Sequence, residues 1–292
     1  AGADNIAVLL ASPLAHGLFQ KAVVQSGGWS IHSMPTVDDG YRVSQQFEKI
    51  VTGGSSHALD KLRMASADQL VAAAEIAFAD VGFTPRVGDA VLPKSLRAVA
   101  QAKELNPVKL IVGSNANESL MYLNPDQTVD NWLQDRSFDQ ELGAEIKEFL
   151  GDGTSESEQL DTLATAVDFG CPALNLAQYV TANGNPTWVY YFNRVRAGKL
   201  AGKMGAYHGA ELPYVFATHD DWLPTTQVDL ALTQSIGRYW YNFSTVGNPN
   251  DEMNVQWPEF SSDRMAVLSL DDSVTSMQHP SIALCRGLKL IN

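Results

Sequence analysis

Apolar residues in this chain fall into short dense blocks separated by longer amphipathic stretches. Lys21-Ala22-Val23-Val24-Gln25 and Trp188-Val189-Tyr190-Tyr191 are rich in β-branched and aromatic residues. Such blocks predict buried strands over residues 21–25, 108–112, 187–192 and 265–270. Apolar positions recurring every three or four residues predict helices over 41–50, 66–78, 95–102, 141–150, 173–180 and 230–243. The 66–78 helix carries a start signal, Ser66 followed three residues later by Gln69, which is the spacing of a capping box. Strands that alternate with helices predict an α/β fold with a mainly parallel central sheet flanked by helices. Residues 36–89 and 124–169 read as helix-rich insertions between strands.

Composition narrows the function classes. The chain has 292 residues, 45% of them apolar and 18% charged, an ordinary soluble globular balance that can bury a sizeable core. Its formal charge of −13 repels nucleic acid and anionic membrane, both of which depend on clustered Lys and Arg. The acidity reads as a solvated surface rather than a steering field. The longest apolar runs fall far short of a membrane span, and no signal-peptide pattern is visible in these residues. No phosphate-cradling glycine loop is present. Two cysteines are too few for a disulfide scaffold or a four-ligand zinc site.

Four patches carry chemistry. The first residues, Ala1-Gly2-Ala3-Asp4, lead into an apolar stretch 6–11, then Ser12-Pro13, Gly17-Leu18-Phe19 and the 21–25 block ending in Ser26-Gly27. This looks like the segment following a nucleophile elbow, G-x-S-x-G, with Ala1-Gly2 as the last two residues of the motif. Leu110-Ile111-Val112-Gly113-Ser114-Asn115-Ala116-Asn117-Glu118-Ser119 looks like a strand running into an acidic loop. Gly205-Ala206-Tyr207-His208-Gly209-Ala210-Glu211-Leu212-Pro213 places a histidine before a glycine. Tyr239-Trp240-Tyr241-Asn242-Phe243, ending in Val246-Gly247-Asn248-Pro249, has the form of a long helix and its terminating turn.

In this order the patches resemble the type B carboxylesterase and cholinesterase-like family of α/β-hydrolases, across nearly the whole chain. The resemblance implies an α/β-hydrolase fold whose N-terminal strands are missing here, residues 1–292 being the C-terminal part of a single domain. It implies a serine carboxylesterase acting through an acyl-enzyme, with the nucleophile immediately before Ala1. The N-terminal part of the same protein is then an expected partner, a small-molecule ester the expected substrate, and no metal or organic cofactor is required. Such enzymes order their triad Ser, Asp/Glu, His along the chain, which here designates Glu118 and His208. His16, His32, His57, His219 and His279 lack a comparable setting. From the residues alone, Asp126 and Asp130 rival Glu118; the Gly-Ser-Asn-x-Asn-Glu context singles it out.

Further roles follow from the same resemblance. The Ala1 backbone N–H is expected in the oxyanion hole, with Ser26 and Glu211 supporting the triad from behind; a simple strand-end serine is the other reading of Ser26. Trp29, Phe83, Leu120 and Met121 are expected along the substrate pocket, although ordinary packing accounts for each equally well. Leu120, where cholinesterases carry an aromatic, speaks against choline esters. Asn117-Glu118-Ser119 and Asn242-Phe243-Ser244 are formal glycosylation sequons, read as coincidence because both fall in segments expected to pack. Cys171 and Cys285 occupy places that look like a disulfide pair of the cholinesterase-like proteins, two free thiols being the alternative. A bridge implies a secreted or periplasmic protein. A non-catalytic cholinesterase-like binding or adhesion module, or an inert fragment needing its N-terminal part, is the alternative to an enzyme.

Overall fold

The computed structural model describes residues 1–27, 34–79, 81–151 and 153–291. Among them a five-stranded sheet runs in sequence order: β1 (Lys21–Gln25), β2 (Lys109–Asn115), β3 (Thr187–Phe192), β4 (Ala266–Leu270) and β5 (Val274–Gln278). The first four are parallel, and β5 folds back antiparallel on β4. Residues 21–25 and 187–192 are strands as the pattern predicts, and β2 and β4 overlap their predicted ranges.

The strands read as unbroken apolar blocks because both faces are covered, as parallel sheets require. Val24, Leu110, Val112, Val189 and Val267 face one core, against helices Gly2–Ala11 and Cys171–Ala182. Ile111, Trp188, Tyr190, Phe192, Leu268 and Leu270 face the other. There the helix Gln227–Val246 contributes Leu232, Ile236, Tyr239 and Phe243. Thr226 and Asp229 form a capping box at its start, and Gly247 ends it with a left-handed φ of 73°. The 66–78 pattern forms the helix Ala67–Ala77, with the Ser66–Gln69 box in place.

Four further features bear on function. Among the described residues no strand pairs with the outer edge of β1. Cys171 and Cys285 form a disulfide that ties the helix Cys171–Ala182 to the final helix Ile282–Gly287, 114 residues apart in sequence. The insertion after β2 contains the helix Glu156–Thr165, a π-turn Ala166–Gly170 and then the disulfide-bearing helix without interruption. No helix among the described residues is long and apolar enough to cross a membrane.

Candidate active site

The acidic loop and the histidine loop meet beyond the carboxyl ends of β2 and β3, the edge where parallel sheets gather ligands. Ala116 N–H donates to the Phe192 carbonyl (2.8 Å), so the chain leaving β2 continues along the end of β3. Asn117 then pairs with Tyr207 in an isolated parallel bridge, and its N–H donates to the Ala206 carbonyl at 3.1 Å. That bridge sets Glu118 beside His208, 90 residues away in sequence. The Nδ1–H of His208 donates to Glu118 Oε2 at 2.7 Å. The other carboxylate oxygen, Oε1, accepts the Asn115 backbone N–H at 2.6 Å.

Burial differs sharply across this pair. Glu118 is fully buried, whereas 40% of the His208 side chain is exposed, leaving its outer face accessible. The hydrogen bond to Glu118 raises the His208 pKa above the usual 6.5, outweighing burial, and the charges of Glu118 and Glu211 add to the rise. The α-amino group of Ala1 opposes it, which brings the start of helix Gly2–Ala11 within electrostatic reach of the imidazole. Phe169 and Tyr122 flank the ring, with centroids 5.4 and 6.3 Å away.

A buried polar layer lies beneath the pair. Glu211 accepts from Asn115 Nδ2 (2.7 Å) and Gln25 Nε2 (2.8 Å), and Gln25 Oε1 accepts from Trp240 Nε1 (3.2 Å). Burial pushes the Glu211 carboxyl up, and the neighbouring Glu118 charge adds to it. Asn115 Nδ2 also donates to the Tyr207 carbonyl at 2.8 Å, gripping the residue before His208. Ser26 closes β1 with a left-handed φ of 56°, its N–H donating to the Gly113 carbonyl. Its hydroxyl is buried and faces the Tyr190 phenol. Glycine is required at 27, where a Cβ would lie 2.3 Å from Ala3 Cβ.

The expected pocket residues fare differently. Leu120 and Met121 stand in a short 3₁₀ turn ending at Tyr122, and Tyr122 is the member that meets His208. Leu120 lines a polar cleft of about 730 Å³ behind the acidic loop, with Asn117 and Asp161, and Met121 is exposed. Phe83 stacks on Phe78 with centroids 4.2 Å apart and lines an apolar groove of about 680 Å³ that neither Glu118 nor His208 borders. Trp29 and His32 lie outside the described residues. Both sequon asparagines are engaged: Asn117 Nδ2 donates to Asp161 and Asn242 Nδ2 to Asp251. Sequence reasoning missed Tyr122, Phe169, Gln25 and Asp161. Gln25, inside the 21–25 block beside Ser26, and Tyr122, just after the acidic motif, lay close to a signal; Phe169 and Asp161 did not.

The carboxylesterase family model matches residues 1–283. The chain belongs to the carboxylesterase family. Para-nitrobenzyl esterase of Bacillus subtilis (strain 168) is 28% identical over 96% of this chain and 58% of its own length. Carboxylesterase 1C of Mus musculus is 25% identical over 89% of this chain and 51% of its own. A solved PNB esterase structure superposes with a TM-score of 0.78 at 25% identity, covering 98% of this chain and 61% of that one. A thermophilic PNB esterase gives 0.79. The fold is therefore that of the α/β-hydrolases. The chain spans little more than half the length of the curated carboxylesterase relatives it matches.

Proposed function

We propose that this chain carries the acid and the base of a serine carboxylesterase, Glu118 and His208, and that the nucleophile is the residue immediately before Ala1. The observation that carries the reading is the buried carboxylate of Glu118 held 2.7 Å from the Nδ1 of a half-exposed histidine. With Nδ1 committed to Glu118, the Nε2 lone pair is free to take a proton. A second support is that the charge at the Ala1 nitrogen is felt at that ring from the start of the helix Gly2–Ala11.

The serine Oγ attacks the ester carbonyl carbon while His208 Nε2 removes the hydroxyl proton. The Ala1 N–H, an amide in a chain with a residue before it, donates to the oxyanion. One such donor contributes about 3 kcal/mol to the transition state. The C–O bond to the alcohol then breaks as the imidazolium returns its proton to the departing oxygen. Water repeats the cycle on the acyl-enzyme and releases the acid. Glu211 and Ser26 support the triad from below, and Tyr122 and Phe169 wall the substrate beside His208. Leu120, Met121 and Phe83 take more distant places.

The whole protein is read as a single α/β-hydrolase domain in which a segment preceding Ala1 covers the outer edge of β1. The Cys171–Cys285 bridge supports secretion or a periplasmic location. An adhesion module has no use for a buried acid–histidine pair, so the catalytic reading is preferred. The test is hydrolysis of p-nitrophenyl acetate by the full-length protein, with and without His208→Gln. Loss of at least about 10³-fold in kcat is expected, with a fluorophosphonate adduct on the residue before Ala1. An unlabelled full-length protein that leaves the ester intact would overturn the reading.

A further inference from the structure

Asp161 has no counterpart in the sequence reasoning and no contact with His208, yet it grips both neighbours of Glu118. It lies almost fully buried in the middle of the helix Glu156–Thr165. Oδ2 accepts the side-chain amide of Asn117 at 2.7 Å, and Oδ1 accepts the backbone N–H of Ser119 at 3.2 Å. Thr165, one turn further along the same helix, donates its hydroxyl to Oδ1 (3.1 Å) and accepts the same Ser119 N–H (3.3 Å). The other end of the Asn117 amide reaches the histidine loop, where Oδ1 accepts the Ala206 N–H at 2.9 Å. Gly205 leaves no slack in that contact: a Cβ there would stand 2.2 Å from Asn117 Oδ1.

We propose that Asp161 is a positioning residue, which fixes the Glu118 loop against the His208 loop through Asn117 and Ser119 and so sets the hydrogen bond between acid and base. Glu118 itself has few other restraints: its carboxylate is bonded to the Asn115 N–H and to the imidazole. Without Asp161 the Asn117 side chain would keep only its Ala206 contact, and Ser119 would be held by Thr165 alone. A carboxylate suits the task better than an amide, because the groups facing it (the Asn117 amide, the Thr165 hydroxyl and the Ser119 and Leu120 backbone N–H) all donate. Burial pushes the Asp161 pKa up despite those bonds, and the Tyr191 phenol beside it is raised to about 12, by burial first and by Asp161 among nearby charges.

The inference rests on the catalytic reading for its effect on turnover, but the clamp can be observed without turnover. The full-length protein is compared with Asp161→Asn, Thr165→Val and Thr165→Ser. The His208 ring is titrated by nitrogen-15 NMR, and kcat and KM for p-nitrophenyl acetate are measured separately. In Asp161→Asn the imidazole pKa is expected to fall toward the free-histidine value. A misplaced acid should lower kcat roughly 10- to 100-fold with KM held. Thr165→Val should move both in the same direction and less, and Thr165→Ser should match the wild type. An unchanged His208 titration, with any loss of kcat matching the fraction of unfolded protein, would overturn the proposal. If Asp161→Asn fails to fold, Thr165→Val decides by the same titration. A shifted titration in a protein that hydrolyses no ester would retain the clamp and reject the esterase.

Discussion

Replacing Glu118 by glutamine changes one oxygen for an NH₂ group at nearly constant volume, and the surroundings dictate which one. Oε1 faces the Asn115 backbone N–H at 2.6 Å, a donor fixed at the end of β2. An NH₂ there would set donor against donor in a fully buried site, a cost of about 1–3 kcal/mol. The glutamine oxygen must therefore take that position and turn its NH₂ toward His208. Nδ1 then becomes the acceptor, the ring proton moves to Nε2, and the base loses the lone pair it needs. Orienting the wrong tautomer costs about 10⁴-fold in kcat, equivalent to about 5.5 kcal/mol. The assay is burst-phase hydrolysis of p-nitrophenyl acetate by full-length wild type and Glu118→Gln, with thermal unfolding followed in parallel. The ring pKa should drop, because the Glu118 bond is the foremost cause of its elevation. A Glu118→Gln enzyme within tenfold of wild type, with an unmoved histidine titration, would refute the reasoning.

Other outcomes follow from the same contacts. The rate kcat/KM should fall on acidification through a histidine pKa above 6.5, since only the neutral ring accepts a proton. By the same elevation, His208 contributes stability that is present below the unfolded pKa and lost as pH rises through the folded one. A chain preceded by further residues lacks the Ala1 ammonium, so its His208 should titrate higher than in a chain starting at Ala1; NMR titration of the two forms checks this. Gly205→Ala should reduce turnover and stability together. It adds a Cβ 2.2 Å from Asn117 Oδ1 at a φ of 60°, a backbone strain of about 1–3 kcal/mol, read from a urea midpoint. Reducing Cys171–Cys285 opens a loop of 114 residues and should lower unfolding stability by up to about 4–5 kcal/mol on the chain-entropy model, measured with and without reductant.

The sheet and the acid–histidine pair were legible because their signals are local. Strands β1 to β4 are dense apolar blocks, and the Asn115–Ser119 and Tyr207–Glu211 segments are compact motifs. Strand β5 escaped notice because it is a sheet edge in which no residue is fully buried, so it has no hydrophobic pattern to display. Helices Ala58–Met64, Val129–Asp135 and Glu156–Thr165 were submerged in the broad insertions; the first buries no residue at all. The pocket was the least legible part. Neighbourhood along the chain pointed to Leu120 and Met121, but a single 3₁₀ turn rotates them aside and delivers Tyr122. Phe169 arrives from 39 residues before the histidine, on a π-helical turn whose wider ring shifts the register of the side chains that follow. Asp161 has no motif; only the three-dimensional approach of its helix to the acidic loop reveals it.

The continuous run from Glu156 to Gly170 has two duties that a protein engineer would prefer to keep apart. Eight residues separate Asp161, which braces the acid, from Phe169, which stands against the histidine ring. No flexible joint lies between them, since the helix passes directly into the π-turn. Lengthening, shortening or re-registering this stretch to admit a bulkier ester would therefore drag the brace along with the wall. Substrate range and catalytic competence are mechanically linked here. Variants with altered selectivity should be sought first among point changes at Tyr122, which leave the length and register of that run intact, and only afterwards in the insertion itself.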